Sequence, residues 1–591
     1  MTRSPEILPV MSNAGDQRRG IAVLGRKHRK PIIVFLSSLL VVAAIISLAT
    51  GVARKSKHGD ENDTTVATSH ALLRSSCSST RYPELCISTV ASNPSLLSSL
   101  ATHKQVIEAS INQTVGAVQS TYGKVQTMTQ KPNLTPREKV ALADCLQTLG
   151  DTLDELRETY SCFEVYPSNK PIAEQADDIN ILLSAAITNQ ETCIDGFSYN
   201  KAETELRKEF ESGVLNVKHM CSNVLSMASN MTVSHMPMEN GKNSFKGRRM
   251  EEEELEDDKY PSWLSAADRK LLQSPSVPAD VTVAVDGSGD YTTVSSAVAA
   301  APEESSRRYV IRIKAGVYQE NVEVPKKKTN LMFLGDDRRT TIITGSRNVV
   351  DGSTTFRSAT VAIVGNDFLA RGIRFENTAG PSKAQAVALR VGSDLSAFYD
   401  CEMVAYQDTL YVHSLRQFFR SCFITGTVDF IFGNAAVVFQ DCDIQPRRPN
   451  PGQRNMITAQ GRDNPDENTG IVIQNCRIAA ASDLLPVQSS FPTYLGRPWR
   501  EYSRTVVMKS NLSNVIQPEG WYPWNGNFAL DTLFYGEYQN TGAGAATEGR
   551  VKWKGFKVIT NATEAQSYTL ENFVMGGSWV GNSGFPFTLG L

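Results

Sequence analysis

Apolar residues recur at spacings of three and four along the first half of the chain. Leu142, Leu146, Leu149, Leu153 and Leu156 make one such set, and Ile107, Ile111, Val115 and Val118 another. These spacings place each set on one face of a helix. Several such helices with short connections, over 68–232, predict an all-α antiparallel helical bundle. From Ala279 onward the pattern changes. Short apolar and β-branched runs (VTVAV, YVIRI, LMFLG, TVAIV, VVFQD, IVIQN) alternate with Gly, Asn and Asp. These are strand and turn signals, and long helical periodicity is missing. Between the two regions, 233–272 shows neither pattern. Its EEEELEDD run, 251–258, is a block of like charges that repel and stay solvated, as a linker does.

The strand-rich half, 273–591, contains a repeat. FYDCEM from Phe398, FRSCFI from Phe419, FQDCDI from Phe439 and IQNCRI from Ile473 share one template. Cys401, Cys422 and Cys442 lie 21 and 20 residues apart, and Cys476 follows after 34. Periods of this size mean a solenoid, in which each repeat stacks on the last. Built from strands, it is expected to be an all-β right-handed parallel β-helix. The longer interval reads as one coil with an insertion around Arg447 to Asn468.

Composition narrows the function. At 591 residues the chain has room for two sizeable cores. A formal net charge of −2 gives no basic excess for nucleic acid. Of seven histidines only His413 lies beyond residue 235, which argues against imidazole chemistry or a His-rich metal site. After a basic tail, 1–30, the segment 31–53 carries no charge. It is long enough to span a bilayer as a signal anchor, and a cleaved signal peptide is the alternative. Either sends the chain into the secretory pathway. Sequons at Asn62, Asn112, Asn133, Asn230, Asn511 and Asn561 agree with that route. There the ten cysteines are disulfide candidates.

The repeat also carries the chemistry. Asp408 follows Cys401 by seven residues, and Asp429 follows Cys422 by seven. Equivalent positions on successive coils stack at about 4.8 Å. Two carboxyls that close do not both ionise cheaply, so one holds its proton. Aspartates on a solenoid surface ordinarily cap turns or face water. These two stand among apolar and aromatic neighbours, where an acid is costly without a role or a partner. Cysteines on neighbouring coils come within disulfide range, which leaves both Cys401–Cys422 and Cys422–Cys442 open.

Five ordered segments lie in this half: GVYQE from Gly316, QAVALR from Gln385, YQDTL from Tyr406, DFIFG from Asp429 and LGRPW from Leu495. On these, 279–591 resembles the plant pectin methylesterases. The helical half resembles the pectin methylesterase inhibitor domain, through Cys77, Tyr82, Pro83, Cys86, Asp144, Cys145 and the TCIDGF run from Thr192. The resemblance implies Asp429 as nucleophile and Asp408 as proton donor and then acceptor. It implies Gln407 and Gln385 as oxyanion donors, Arg497 as partner of Asp429, and Thr355 and Trp499 as substrate contacts. Trp499 reads equally as core packing, and Gly316 to Glu320 as a structural turn. No metal or cofactor is required if amides activate the carbonyl. The implied disulfides are Cys77–Cys86, Cys145–Cys193 and Cys422–Cys442. The substrate would be pectin, and the partners the chain's own pro-region or separate inhibitor proteins. A processing protease is implied by Arg269, Lys270, Leu271 and Leu272, whose cleavage would free a monomeric enzyme to the cell wall.

Two alternatives remain at this level. A polygalacturonase or pectate lyase on the same architecture would cut the backbone instead, with carboxylates about 5–9.5 Å apart in the glycosidase case. The chain could also act through its bundle, as an inhibitor of other pectin methylesterases.

Overall fold

The computed structural model describes residues 60–165, 175–198, 201–234 and 278–591. The apolar span 31–53, nearly all of the linker and the motif Arg269 to Leu272 lie outside them. Among the described residues, no helix is long and apolar enough to cross a membrane. Residues 68–591 form one compact unit, in which a helical bundle packs against a β-helix.

The bundle comprises α1 (Asp60–Cys77), α2 (Pro83–Ala91), α3 (Pro94–Ser98), α4 (His103–Met128), α5 (Pro136–Glu164), α6 (Ala176–Asp195), α7 (Lys201–Lys208) and α8 (Glu211–Ser234). Helix starts follow local chemistry. Thr102 and Gln105 form a reciprocal capping box on α4, and Thr135 with Glu138 forms another on α5, where Pro136 opens the first turn. The four long helices pack as neighbours: α4 on α5 and α8, and α6 on α5 and α8. Leu142, Leu149 and Leu156 point into this core, whereas Leu146 and Leu153 are partly buried at its edge. Disulfides join Cys77 to Cys86 and Cys145 to Cys193, the second tying α5 to α6.

The second half winds through three parallel sheets of eleven, seven and eight strands. Successive coils each supply one strand per sheet, giving a right-handed parallel β-helix. The cysteine repeat marks those coils. Phe398 pairs with Phe419, Phe419 with Phe439, and Phe439 with Ile473. The phenylalanine rings stack inside at 4.6 and 4.8 Å between centroids, the strand spacing itself. One residue before each cysteine the chain turns sharply in the left-handed region, at Asp400, Ser421, Asp441 and Asn475 (φ 51–55°). The long third interval is accommodated by loops at 447–454 and 461–469, outside the strands.

One implied bridge is not formed. Cys422 and Cys442 are buried free thiols, as are Cys401 and Cys476. In-register parallel strands send equivalent side chains inward side by side. The Cys422 Sγ lies 3.5 Å from the Phe398 carbonyl oxygen and the Cys442 Sγ 3.6 Å from that of Phe419, so each thiol meets backbone of the preceding coil. The β-helix is also not purely strand. A helix at Val294–Ala300 lies between the strands Val281–Val283 and Tyr309–Ile313, and short helices at Ala562–Gln566, Leu570–Val574 and Gly576–Ser583 pack apolar residues on the eleven-stranded sheet. The GVYQE segment is structural: the Glu320 carboxylate accepts from the Val294 and Ser295 N–H groups at 2.7 and 2.9 Å, capping that first helix.

Candidate active site

Asp408 and Asp429 occupy the same turn of consecutive coils, just before strands Leu410–Val412 and Ile431–Gly433. Leu410 pairs with Ile431, and the Asp408 N–H donates to the Val428 carbonyl at 3.0 Å. The coils are therefore in register, and the two acids are neighbours. Both have left-handed backbones, φ 61° and 51°. That conformation is costly for a residue with a Cβ and is typically retained where a site uses it.

Their surroundings separate them chemically. Each is almost fully buried. Asp429 is gripped by Arg497 through two parallel bonds, Nε to Oδ1 at 2.7 Å and a terminal nitrogen to Oδ2 at 2.6 Å. A planar fork on both carboxylate oxygens fixes orientation as well as charge. Burial works against the Arg497 cation, but Asp429 and then Asp408 outweigh it and raise its pKa. Asp408 lacks such a partner. Burial, then the negative charge of Asp429, push its pKa far above the ordinary carboxylate range, and Arg497 opposes this only in part. One acid is thus set up as a proton donor beside a carboxylate.

The remaining expected residues fall around this pair. Gln407 immediately precedes Asp408 and is buried. Its carbonyl accepts from the Ala386 N–H at 3.2 Å, which brings half-buried Gln385 onto the adjoining coil. Trp499 packs edge-on to Phe432 and Tyr411, at 5.9 and 6.5 Å between centroids. Gly461 makes room for it, since a Cβ there would lie 2.9 Å from the indole. Trp499 is therefore part of an aromatic platform, with Tyr411 stacked on Phe432 at 4.2 Å. Thr355 is half-buried and opens the short helix Phe356–Ser358. Of the expected glycan-bearing positions, Asn112, Asn230, Asn511 and Asn561 are exposed, and the side chain of Asn62 lies outside the described residues.

Sequence reasoning missed Trp524, which is 36% exposed and lies with its ring centroid 4.3 Å from the Arg497 guanidinium carbon. It also missed how the bundle meets the platform. From α6, the Thr192 hydroxyl bonds His413 Nε2 at 2.8 Å, Thr188 accepts from Asn434 at 2.8 Å, and Asp195 takes Arg500 at 2.6 and 2.8 Å. From α5, Asp144 takes Thr354 and Arg357. The insertion loop is gripped as well, by Lys218 on Asp463 at 2.5 Å and Ser222 on Asn464 at 2.6 Å. Helices α5 and α6 thus lie on the seven-stranded sheet whose turns carry the acids. These contacts join residues far apart in sequence, and no spacing signals them.

A buried acid beside an arginine-held aspartate on a parallel β-helix is an arrangement suited to nucleophilic and acid–base hydrolysis. A family model described as Pectinesterase matches residues 280–577, and one described as Plant invertase/pectin methylesterase inhibitor matches 71–227. Pectinesterase 3 of Citrus sinensis is 57% identical over 591 residues, 100% of both chains. Pectinesterase/pectinesterase inhibitor 3 of Arabidopsis thaliana is 58% identical over 96% of this chain and 98% of its own. The solved pectin methylesterase from carrot is 73% identical, with a TM-score of 0.53, over 54% of this chain and 100% of its own. The chain belongs to the pectinesterase family: it is a carboxylic ester hydrolase with an inhibitor-like helical domain in front. The solved carrot chain is folded and is matched over its whole length by 54% of this chain.

Proposed function

We propose that this enzyme hydrolyses the methyl esters of galacturonate units in pectin, with Asp429 as nucleophile and Asp408 as acid and base. The Asp429 carboxylate, aimed by Arg497, attacks the ester carbonyl carbon. The Gln407 and Gln385 amides donate to the oxyanion that forms. Asp408 gives its proton to the departing methoxide, releasing methanol and leaving galacturonyl joined to Asp429 as an anhydride. Asp408, now a carboxylate, takes a proton from water, whose oxygen attacks the same carbonyl carbon. The anhydride opens, Asp429 leaves as carboxylate, and a free galacturonate acid is formed. Trp499 and Thr355 flank the sugar.

The bundle is proposed to hold the enzyme off until the linker is cut after Leu272. The chain would pass through the secretory pathway and act in the cell wall as a monomer. The observation that carries the catalytic assignment is the asymmetry between two register-equivalent acids, one held by a guanidinium fork and one with a raised pKa. It is tested by methanol release from methylated pectin by residues 273–591. Wild-type protein should release methanol, and Asp429→Ala and Asp408→Ala should not; wild-type turnover in either variant would sink the mechanism. Equal activity of cut and uncut chains would remove the restraint by the bundle.

A further inference from the structure

Asp144 of α5 is 1% exposed, yet its carboxylate is held from the β-helix. The Thr354 hydroxyl donates to one oxygen, and Arg357 donates through Nε to the other at 2.9 Å, with a terminal nitrogen also at 2.9 Å. Beside it, the Arg390 guanidinium carbon stands 3.4 Å from the Phe356 ring centroid. Arg390 is 2% exposed, and its Nε has no hydrogen-bond partner. Burying an arginine this way is costly. Its place in the sheet points to a use in another state. Arg390 pairs with Ala362 on one side and Tyr411 on the other, so it shares a row with the aromatic platform beside the acids.

We infer that Thr354, Arg357 and Arg390 form a second carboxylate-binding site of the esterase half. In the separated enzyme it receives a free galacturonate carboxylate of the chain being de-esterified; in the uncut protein Asp144 fills it. The site rests on the proposed function for the identity of its ligand. Thr354 to Arg357 lead into strand Val361–Ile363, which pairs with Leu389–Val391, which pairs with Leu410–Val412 just after Asp408. Two strand spacings are roughly 10 Å along the axis. A galacturonan lying along that axis puts a neighbouring unit at the site while another meets the acids. A guanidinium fork pairs with a carboxylate and gains little from a neutral methyl ester. The site therefore favours esters flanked by acids already set free, and so extends de-esterified blocks.

The test compares two substrates, a fully esterified galacturonate oligomer and a half-de-esterified one, on the separated β-helix half. The ratio of kcat/KM, half-de-esterified over fully esterified, should exceed one in the wild type. It should fall about tenfold in Arg357→Gln at low salt. Arg357→Lys, which keeps the charge and loses the fork, should fall between. Thermal melting checks that each variant folds, and Arg390→Gln serves the same test if Arg357→Gln does not. An unesterified hexamer should compete with substrate in the wild type and compete more weakly in the variants. Equal ratios in wild type and folded variants overturn the proposal. So does a substitution that changes only the activity of the uncut chain, because the contact then serves the bundle alone. A wild-type half that releases no methanol from either oligomer defeats the proposed function instead, and the site's ligand with it.

Discussion

Asp429 and Asp144 are buried aspartates held by arginines, and they differ in what the arginine belongs to. Asp429 and Arg497 both lie in the β-helix, 68 residues apart, so their fork persists in whatever state that half adopts. Asp144 and Arg357 lie 213 residues apart, one in the bundle and one in the β-helix, so separating the halves breaks the contact. In the proposed mechanism the first pair orients a reacting group. The second closes a surface. The same chemistry therefore reads as catalysis or as restraint according to whether it crosses between the halves.

The sharpest way to break the comparison is at the first pair. Asp429→Ala should lower methanol release by about 10^4–10^6-fold, the scale of losing a nucleophile. Arg497→Ala should cost about 10^2–10^3-fold in kcat, as removal of a preorganised electrostatic group does, with Arg497→Lys restoring part of it. A loss of only a few-fold would mean that the fork does not orient the nucleophile.

At the second pair the effect has the opposite sign. Asp144→Ala in the uncut chain should raise its methanol release, because it leaves Arg357 covered with only the more exposed Glu323 carboxylate to pair with. The docked arrangement should lose about 2–3 kcal/mol, the low side for a broken buried pair because Arg357 is partly exposed. Unchanged or lower activity would contradict the restraint.

Acid should tighten the restraint. Burial pushes Asp151 up to about 6, and raises Glu155, Asp144 and Glu158, while Lys326, Arg357 or Arg390 across the interface opposes each shift in part. A carboxyl raised on docking stabilises the docked state fully below its ordinary pKa. That contribution fades as pH rises through the docked value. Glu191, lowered despite burial by Arg500 and Lys218, works the other way. The ratio of uncut to cut activity should therefore climb between about pH 4 and pH 6; a fall over that window would mean that Glu191 dominates. The smallest effect belongs to Thr192→Val. It removes the hydroxyl bonded to His413, whose imidazole burial keeps neutral by lowering its pKa to about 3. About 1 kcal/mol of docking should be lost, read as a several-fold rise in uncut activity.

Much of the framework is legible in the order of the residues alone. The three-and-four spacing at Leu142, Leu149 and Leu156 reports a buried helical face, because side chains one turn apart point the same way. The cysteine template reports coil length, and the shared seven-residue offset puts Asp408 and Asp429 on one surface. Spacing does not reach what is decided across coils or across halves. The Cys422–Cys442 bridge is implied by resemblance alone, and the stacked thiols remain apart. The short C-terminal helices carry too few turns to show a period. Arg357 and Arg390 are single charges in strand-rich sequence, and Asp144, though it stands beside Cys145, gives no sign that its partner lies in the other half. Trp524 sits in a loop, where pattern is weakest.

The division of labour between the paired acids is the central claim, and it is open to direct measurement. A carbon NMR titration of the Asp408 carboxyl in the intact chain should find it protonated well above the ordinary carboxylate range. Asp429→Asn should bring that pKa down by removing the neighbouring negative charge. If Asp408 titrates as an ordinary aspartate with Asp429 intact, the acid and the nucleophile have been assigned without foundation.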